Sequence, residues 1–97
     1  MTLNRPLSDG AIIARVEGHA SALIDGETVI MSGDTGRFHV VAATGASIWE
    51  RLATPKTVEQ LITELAADFD VSLVKCREEV EVFLASLAER NLVTIND

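Results

Sequence analysis

The chain is short of the residue types on which most catalytic and metal chemistry depends. Its 97 residues contain one Cys, two His, one Trp, two Pro and no Tyr, and aromatic residues make up 4%. One Cys excludes an internal disulfide and fits a reducing, cytoplasmic location. Neither C-x-x-C nor H-x-x-x-H occurs, and His19 and His39 fall in different segments, so the ligand spacing of a metal site is missing. There is no G-x-S-x-G elbow and no P-loop, and Gly33-Asp34-Thr35-Gly36 is too short to cradle a phosphate. Neither an enzyme nor a bound cofactor is expected. No apolar run approaches the roughly 18 residues of a membrane span. The start, Met1-Thr2-Leu3-Asn4-Arg5-Pro6, has no apolar core of a secretory signal. Positive charge is scarce too, with 8 Lys and Arg against 15 Asp and Glu, a net charge of -7. Phosphates would repel such a chain, which argues against a nucleic-acid partner.

What is present is a 47% apolar composition spread along the whole length. That excludes disorder and implies one domain with a modest core. Residues 1–18 read as an N-terminal arm, punctuated by Pro6, Ser8, Asp9, Gly10 and Gly18, although Ala11–Val16 is apolar enough to be extended. Over about 19–41 the period is near two. Asp25-Gly26 is a two-residue hairpin signal, because Gly tolerates the positive φ of a type I′ turn. Thr28–Ser32 is a β-rich return, Gly33–Gly36 a second turn, and Arg37–Val41 a third strand with Phe38 and Val40 on one face and Arg37, His39 and Val41 on the other. A three-stranded antiparallel meander follows.

The period then becomes 3.6. A short helix over about 44–53 turns Ile48, Trp49 and Leu52 inward and ends before Pro55. Thr57-Val58-Glu59-Gln60 is a capping box opening a second helix, about 57–68. Ser72 caps a third, about 73–90, whose apolar stripe holds Leu73, Cys76, Val80, Phe83, Leu84 and Leu87, and Asn91 suits a left-handed stop. The predicted fold is α+β, a winged helix-turn-helix-like domain over 19–97 with the sheet before the helices. Cys76 on the apolar stripe reads as a buried thiol, and Trp49 as core. Glu78, Glu79 and Glu81 read as a solvated face or as an acidic patch that steers a basic partner.

Several segments carry a resemblance. They are Asp25-Gly26-Glu27-Thr28-Val29-Ile30-Met31, Thr35-Gly36-Arg37-Phe38-His39-Val40, Thr44-Gly45-Ala46-Ser47-Ile48-Trp49 and Phe83-Leu84-x-x-Leu87 running to Leu92-Val93. In order and spacing they resemble the PqqD family, named for the pyrroloquinoline quinone synthesis protein D, over roughly 19–93. The resemblance implies a peptide chaperone of ribosomally synthesised, modified peptides. Such a module binds the leader of a precursor peptide and presents it to a modifying enzyme, either a leader protease with its cyclase or a radical-SAM enzyme. The spacing from the hairpin to Thr44-Gly45-Ala46-x-Ile48-Trp49 and the stand-alone length resemble the lasso-peptide members somewhat more. The resemblance also implies where the leader binds, as an extra strand beside the third strand in a groove shared with the last helix. Relatives often carry an aromatic pair and an L-N step where this chain has Phe38-His39 and Val41-Ala42.

The residues support the same mechanism. A meander leaves edge strands with unpaired N–H and C=O groups, which an added peptide strand satisfies. The candidate peptide-binding residues are Arg37, Phe38, His39, Val40 and Val41 on the strand, and Cys76, Glu79, Val80, Phe83, Leu84 and Leu87 on the helix. The stripe must also cover the domain's own core, so only part of it can face a groove. The exposed edge permits a monomer or a homodimer. Two rivals are weaker. A DNA-binding winged helix would use 73–90 for recognition, where Lys75, Arg77 and Arg90 face Glu78, Glu79, Glu81 and Glu89, the wrong balance. An acyl-carrier module needs a helical bundle and an Asp-Ser-Leu step, and Val71-Ser72-Leu73 is the nearest segment.

Overall fold

A computed structural model describes residues 7–97, the side chain of Ala42 apart. The elements are β1 (Ile12–Arg15), β2 (Ala20–Ile24), β3 (Glu27–Met31), β4 (Phe38–Ala42), α1 (Ala43–Arg51), β5 (Lys56–Thr57), α2 (Val58–Phe69), α3 (Leu73–Glu89) and β6 (Val93–Asn96). They form two three-stranded antiparallel sheets, ordered β2-β3-β4 and β5-β1-β6, with three helices. The architecture is α+β. No helix among the described residues is long and apolar enough to cross a membrane.

The sheet β2-β3-β4 is the expected meander. Asp25 and Gly26 turn β2 into β3 with φ of 51° and 82°, the two positive values of a type I′ turn. One face of this sheet covers the body through Thr28 and Ile30, both buried, and through half-buried His39 and Val41. The other face, bearing Ala20, Ala22, Ile24, Met31, Phe38 and Val40, is exposed.

The sheet β5-β1-β6 was not anticipated. Its strands are two, four and four residues long and come from three distant parts of the chain, so none carries a readable period. Ile12–Arg15, within the segment expected to be an N-terminal arm, is the central strand, and its Ile13 is fully buried. Residues 7–9 are also fixed. The Leu7 amide donates to Glu81 Oε2 at 2.7 Å, and Arg77 donates to Asp9 Oδ1 at 2.8 Å and to the Leu7 carbonyl. From Leu7 on, the expected arm is therefore part of the fold. Its first six residues lie outside the described residues.

The helices begin and end where the caps require. Thr57 Oγ1 accepts from the Gln60 amide at 3.1 Å while the Thr57 amide donates to Gln60 Oε1 at 2.9 Å, the reciprocal capping box. Ser72 Oγ accepts from the Lys75 amide at 3.2 Å. Asp70 and Asn91, with φ of 51° and 57°, turn the chain out of α2 and away from α3 in the left-handed conformation. One core joins both sheets and all three helices through Ile13, Ile30, Trp49, Leu61, Leu65 and Leu84, among others. Burying a side chain of this size contributes about 1.5–3 kcal/mol. Arg15 crosses from β1 to lie 4.3 Å over the Trp49 ring and donates to the Trp49 carbonyl.

One imidazole ties the β2-β3-β4 sheet to the end of α3. The Gly33 amide donates to His19 Nδ1 at 2.9 Å, and His19 Nε2 lies 3.0 Å from the Asn91 carbonyl. The Gly33 donor requires an unprotonated Nδ1, so Nε2 carries the hydrogen. Gly33 is obligatory here, because a Cβ on it would stand 2.0 Å from the Gly18 carbonyl oxygen.

Candidate functional site

In an antiparallel pair, opposed residues alternate between exchanging hydrogen bonds and exchanging none. The Ser32 amide donates to the Arg37 carbonyl at 2.9 Å. Counting along the register of β3 against β4, Ile30–His39 and Thr28–Val41 are then the bonded pairs, while Met31–Phe38 and Val29–Val40 are not. The N–H and C=O of Phe38 and Val40 therefore point away from β3. Among the described residues no strand lies on that side, since β4 ends the order β2-β3-β4. This is an open ladder edge.

Beside this edge, α3 lines a cleft of about 540 Å³ with Glu78, Glu79, Val82, Phe83 and Ser86. These positions are i, i+4 and i+8 from Glu78 and i, i+4 from Glu79, one stripe along the helix. Val82 is 74% exposed. Phe83 is half-buried and packs against the core. Gly45 makes room for it: a Cβ there would meet the Phe83 ring at 2.9 Å and Val41 Cβ at 3.5 Å. The ring thus lies where α1, β4 and α3 converge. At the junction of β4 and α1, Ala43 takes a φ of 52°, the left-handed region disfavoured for a residue with a Cβ.

The structure sorts the residues expected to bind peptide into three groups. Phe38 and Val40 offer the open edge through their backbones, and their side chains, 66% and 61% exposed, lie on the outer face of the sheet. His39 and Val41 point the other way and are half-buried, while Arg37 is exposed just before the strand. Phe83 and Glu79 line the cleft. Cys76, Val80, Leu84 and Leu87 do not; they are buried in the core. The physical reason is geometric, because the most apolar stripe of α3 is spent on the core and the cleft falls on the adjacent stripe. Val82 and Ser86, which also line the cleft, were not among the expected residues although their i, i+4 spacing was readable, and Glu78 was read only as part of an acidic face.

The Cys76 thiol, with Sγ 3.7 Å from the Ile62 carbonyl, is held in the protonated form because burial raises its pKa and Glu79 adds to the rise. Among the described residues no cluster of His, Cys, Asp and Glu is arranged to hold a metal ion. The fold and site together define a small α+β domain with an open strand edge beside a helical cleft.

The chain belongs to the PqqD family: the family model described as Coenzyme PQQ synthesis protein D (PqqD) matches residues 27–93. Among solved structures it is similar to one described as TbiB1 in complex with the TbiA(beta) leader peptide, with a TM-score of 0.77 and 28% identity over 82% of this chain and 93% of that one. It is also similar in fold to a lasso peptide synthetase B1 complexed with the leader peptide, with a TM-score of 0.72 and 18% identity over 84% of this chain and 96% of that one. No curated protein matches the sequence.

Proposed function

We propose that this chain is a non-catalytic leader-peptide-binding module that presents a ribosomal precursor peptide to a modifying enzyme or leader peptidase, of the lasso-peptide type. The leader adds as a fourth strand to β4, and its inward side chains lie against α3. The observation that carries this reading is the unpaired edge of β4 at Phe38 and Val40 beside the cleft at Val82 and Phe83. Main-chain pairing supplies affinity and the cleft supplies selection, the usual division of labour in strand addition. Family membership and the leader-bound state of the neighbour at 28% identity point the same way. The module works in the cytoplasm and needs no cofactor.

The test is titration of the chain with the leader of the precursor peptide encoded beside it, followed by calorimetry and by amide chemical shifts of β4. Saturable binding at tens of micromolar or tighter, with the largest shifts at Phe38 to Ala42, is expected. No binding with both components intact would refute the proposal, as would shifts confined to α2.

A further inference from the structure

We infer that the strand this cleft accepts carries a large apolar side chain and, two residues from it on one side only, a lysine or arginine. The inference rests on the leader-binding reading and adds the side-chain chemistry of the ligand. In a strand added to β4, the residues opposite His39 and Val41 share their face and point toward α3. The residue opposite Val41 meets Phe83, because Val41 and the Phe83 ring converge on Gly45. Val82 widens that apolar seat. Along α3 the cleft continues from there to Glu79 and Glu78 one way, and to Ser86 the other. A four-residue step along a helix is about 6 Å, and two residues of strand span about 6.7 Å, so a strand lying along α3 would bring its next inward side chain on one side of the anchor up against the carboxylates.

The two ends of the cleft differ in charge. Among the described residues neither Glu78 nor Glu79 is in an ion pair, and both are exposed. At the other end Arg90 donates to Ser86 Oγ. The adjoining Asn91 is joined through His19 to Gly33, in the β3–β4 turn that Arg37 follows. Lys75 precedes Glu79 by one turn, Glu89 adjoins Arg90 and Asp34 lies in the turn before Arg37, but among the described residues the only charged ones lining the cleft itself are Glu78 and Glu79, so a basic residue is attracted on the Glu78 side of the anchor and meets no carboxylate of the lining on the Arg90 side. This asymmetry also selects the direction in which the strand lies.

The test uses a displayed library of randomised 14-residue peptides, selected on the full chain and counter-selected on Val40→Pro, whose edge lacks a donor. Aligned on their large apolar residue, the recovered peptides should carry Lys or Arg about 3–5-fold above input two residues away on one side and at or below input on the other, the scale of an exposed ion pair. Selection on the Glu78→Gln/Glu79→Gln double variant, or in high salt that screens exposed charges, should erase the enrichment while the apolar preference persists. Recovered peptides without the one-sided basic residue, or an enrichment that survives the double variant, would overturn this inference and leave the leader-binding reading standing. A selection that yields nothing beyond the Val40→Pro background would overturn both.

Discussion

The two sheets have the same number of strands and opposite characters. In β5-β1-β6 the central strand is paired on both sides, with Ile13 fully buried and opposite Lys56 and Ile95, while Ile12 on the other face is half exposed. Its extensions are pinned as well, through the Val16 amide on the Leu92 carbonyl at 3.0 Å and the Val58 amide on the Ala11 carbonyl at 2.9 Å. In β2-β3-β4 the outer face is open across all three strands, the edge strand β4 is five residues long, and the sheet is held to the body by Ile30, Thr28 and the His19 bridge. The first sheet closes the chain into a domain. The second keeps backbone groups available, and availability is what a strand-binding module needs. An edge is normally a liability; under the proposed function, the cleft of α3 would restrict the short β4 to partners that fit both.

The largest expected effect breaks the closed sheet. Ile13→Ala should cost about 2–5 kcal/mol, and denaturant melts should show the whole domain unfolding in one weakened transition. Ile24→Ala, in the open sheet and half exposed, should stay within about 0.5 kcal/mol; an equal cost would abolish the contrast. Next, Val40→Pro should lower leader affinity by about tenfold or more, the scale of a lost ladder hydrogen bond and local distortion. Its stability cost should be small, because that amide faces the open side. Val40→Thr should bind nearly as the parent does, whereas Val41→Pro, whose amide serves β3, should destabilise the sheet itself. Titration and thermal melts of the three variants separate edge from ladder.

Gly45→Ala comes third. The added Cβ forces the Phe83 ring to move, so leader affinity should fall several-fold. Stability should change by less than about 1 kcal/mol, since Ala is the better helix former. An unchanged affinity would mean that the ring position does not shape the cleft. The smallest effect lies on the closed side. Partial burial works to raise the Glu64 pKa, but the hydrogen bonds and charges of Arg51, at 3.0 Å, and Lys56, at 3.2 Å, outweigh it and hold the carboxyl below its ordinary range. A lowered folded-state pKa stabilises above the unfolded value and is lost as pH falls through the folded one. Glu64→Gln should therefore remove a component of under about 1 kcal/mol from acid destabilisation, with no effect on leader binding. Melts between neutral and strongly acidic pH would detect it.

What could be read from residues followed local physics. Asp25-Gly26 imposed its turn, Thr57 with Gln60 opened α2, Ser72 opened α3, and Asn91 turned the chain away from it. The β2-β3-β4 meander was legible because each strand pairs with its neighbour in the chain. Ile12–Arg15 was not, because a four-residue strand has no period and its partners lie some forty and eighty residues away. On α3 the apolar stripe was legible, but which of its residues face the cleft was not. Cys76, Val80, Leu84 and Leu87 went to the core, while Glu78, Val82 and Ser86, from the next stripe round, line the cleft beside Phe83 and Glu79.

By itself the sequence determined the three helices, the order of the meander and the shortage of catalytic residue types, since all of these depend on near neighbours and composition. Only the tertiary structure decided that β1 is the centre of a second sheet, that β4 keeps a free edge, and that one stripe of α3 is core while the next faces solvent. Those outcomes depend on which distant surfaces exclude water together, and the core takes the most apolar stripe first because its burial is worth the most.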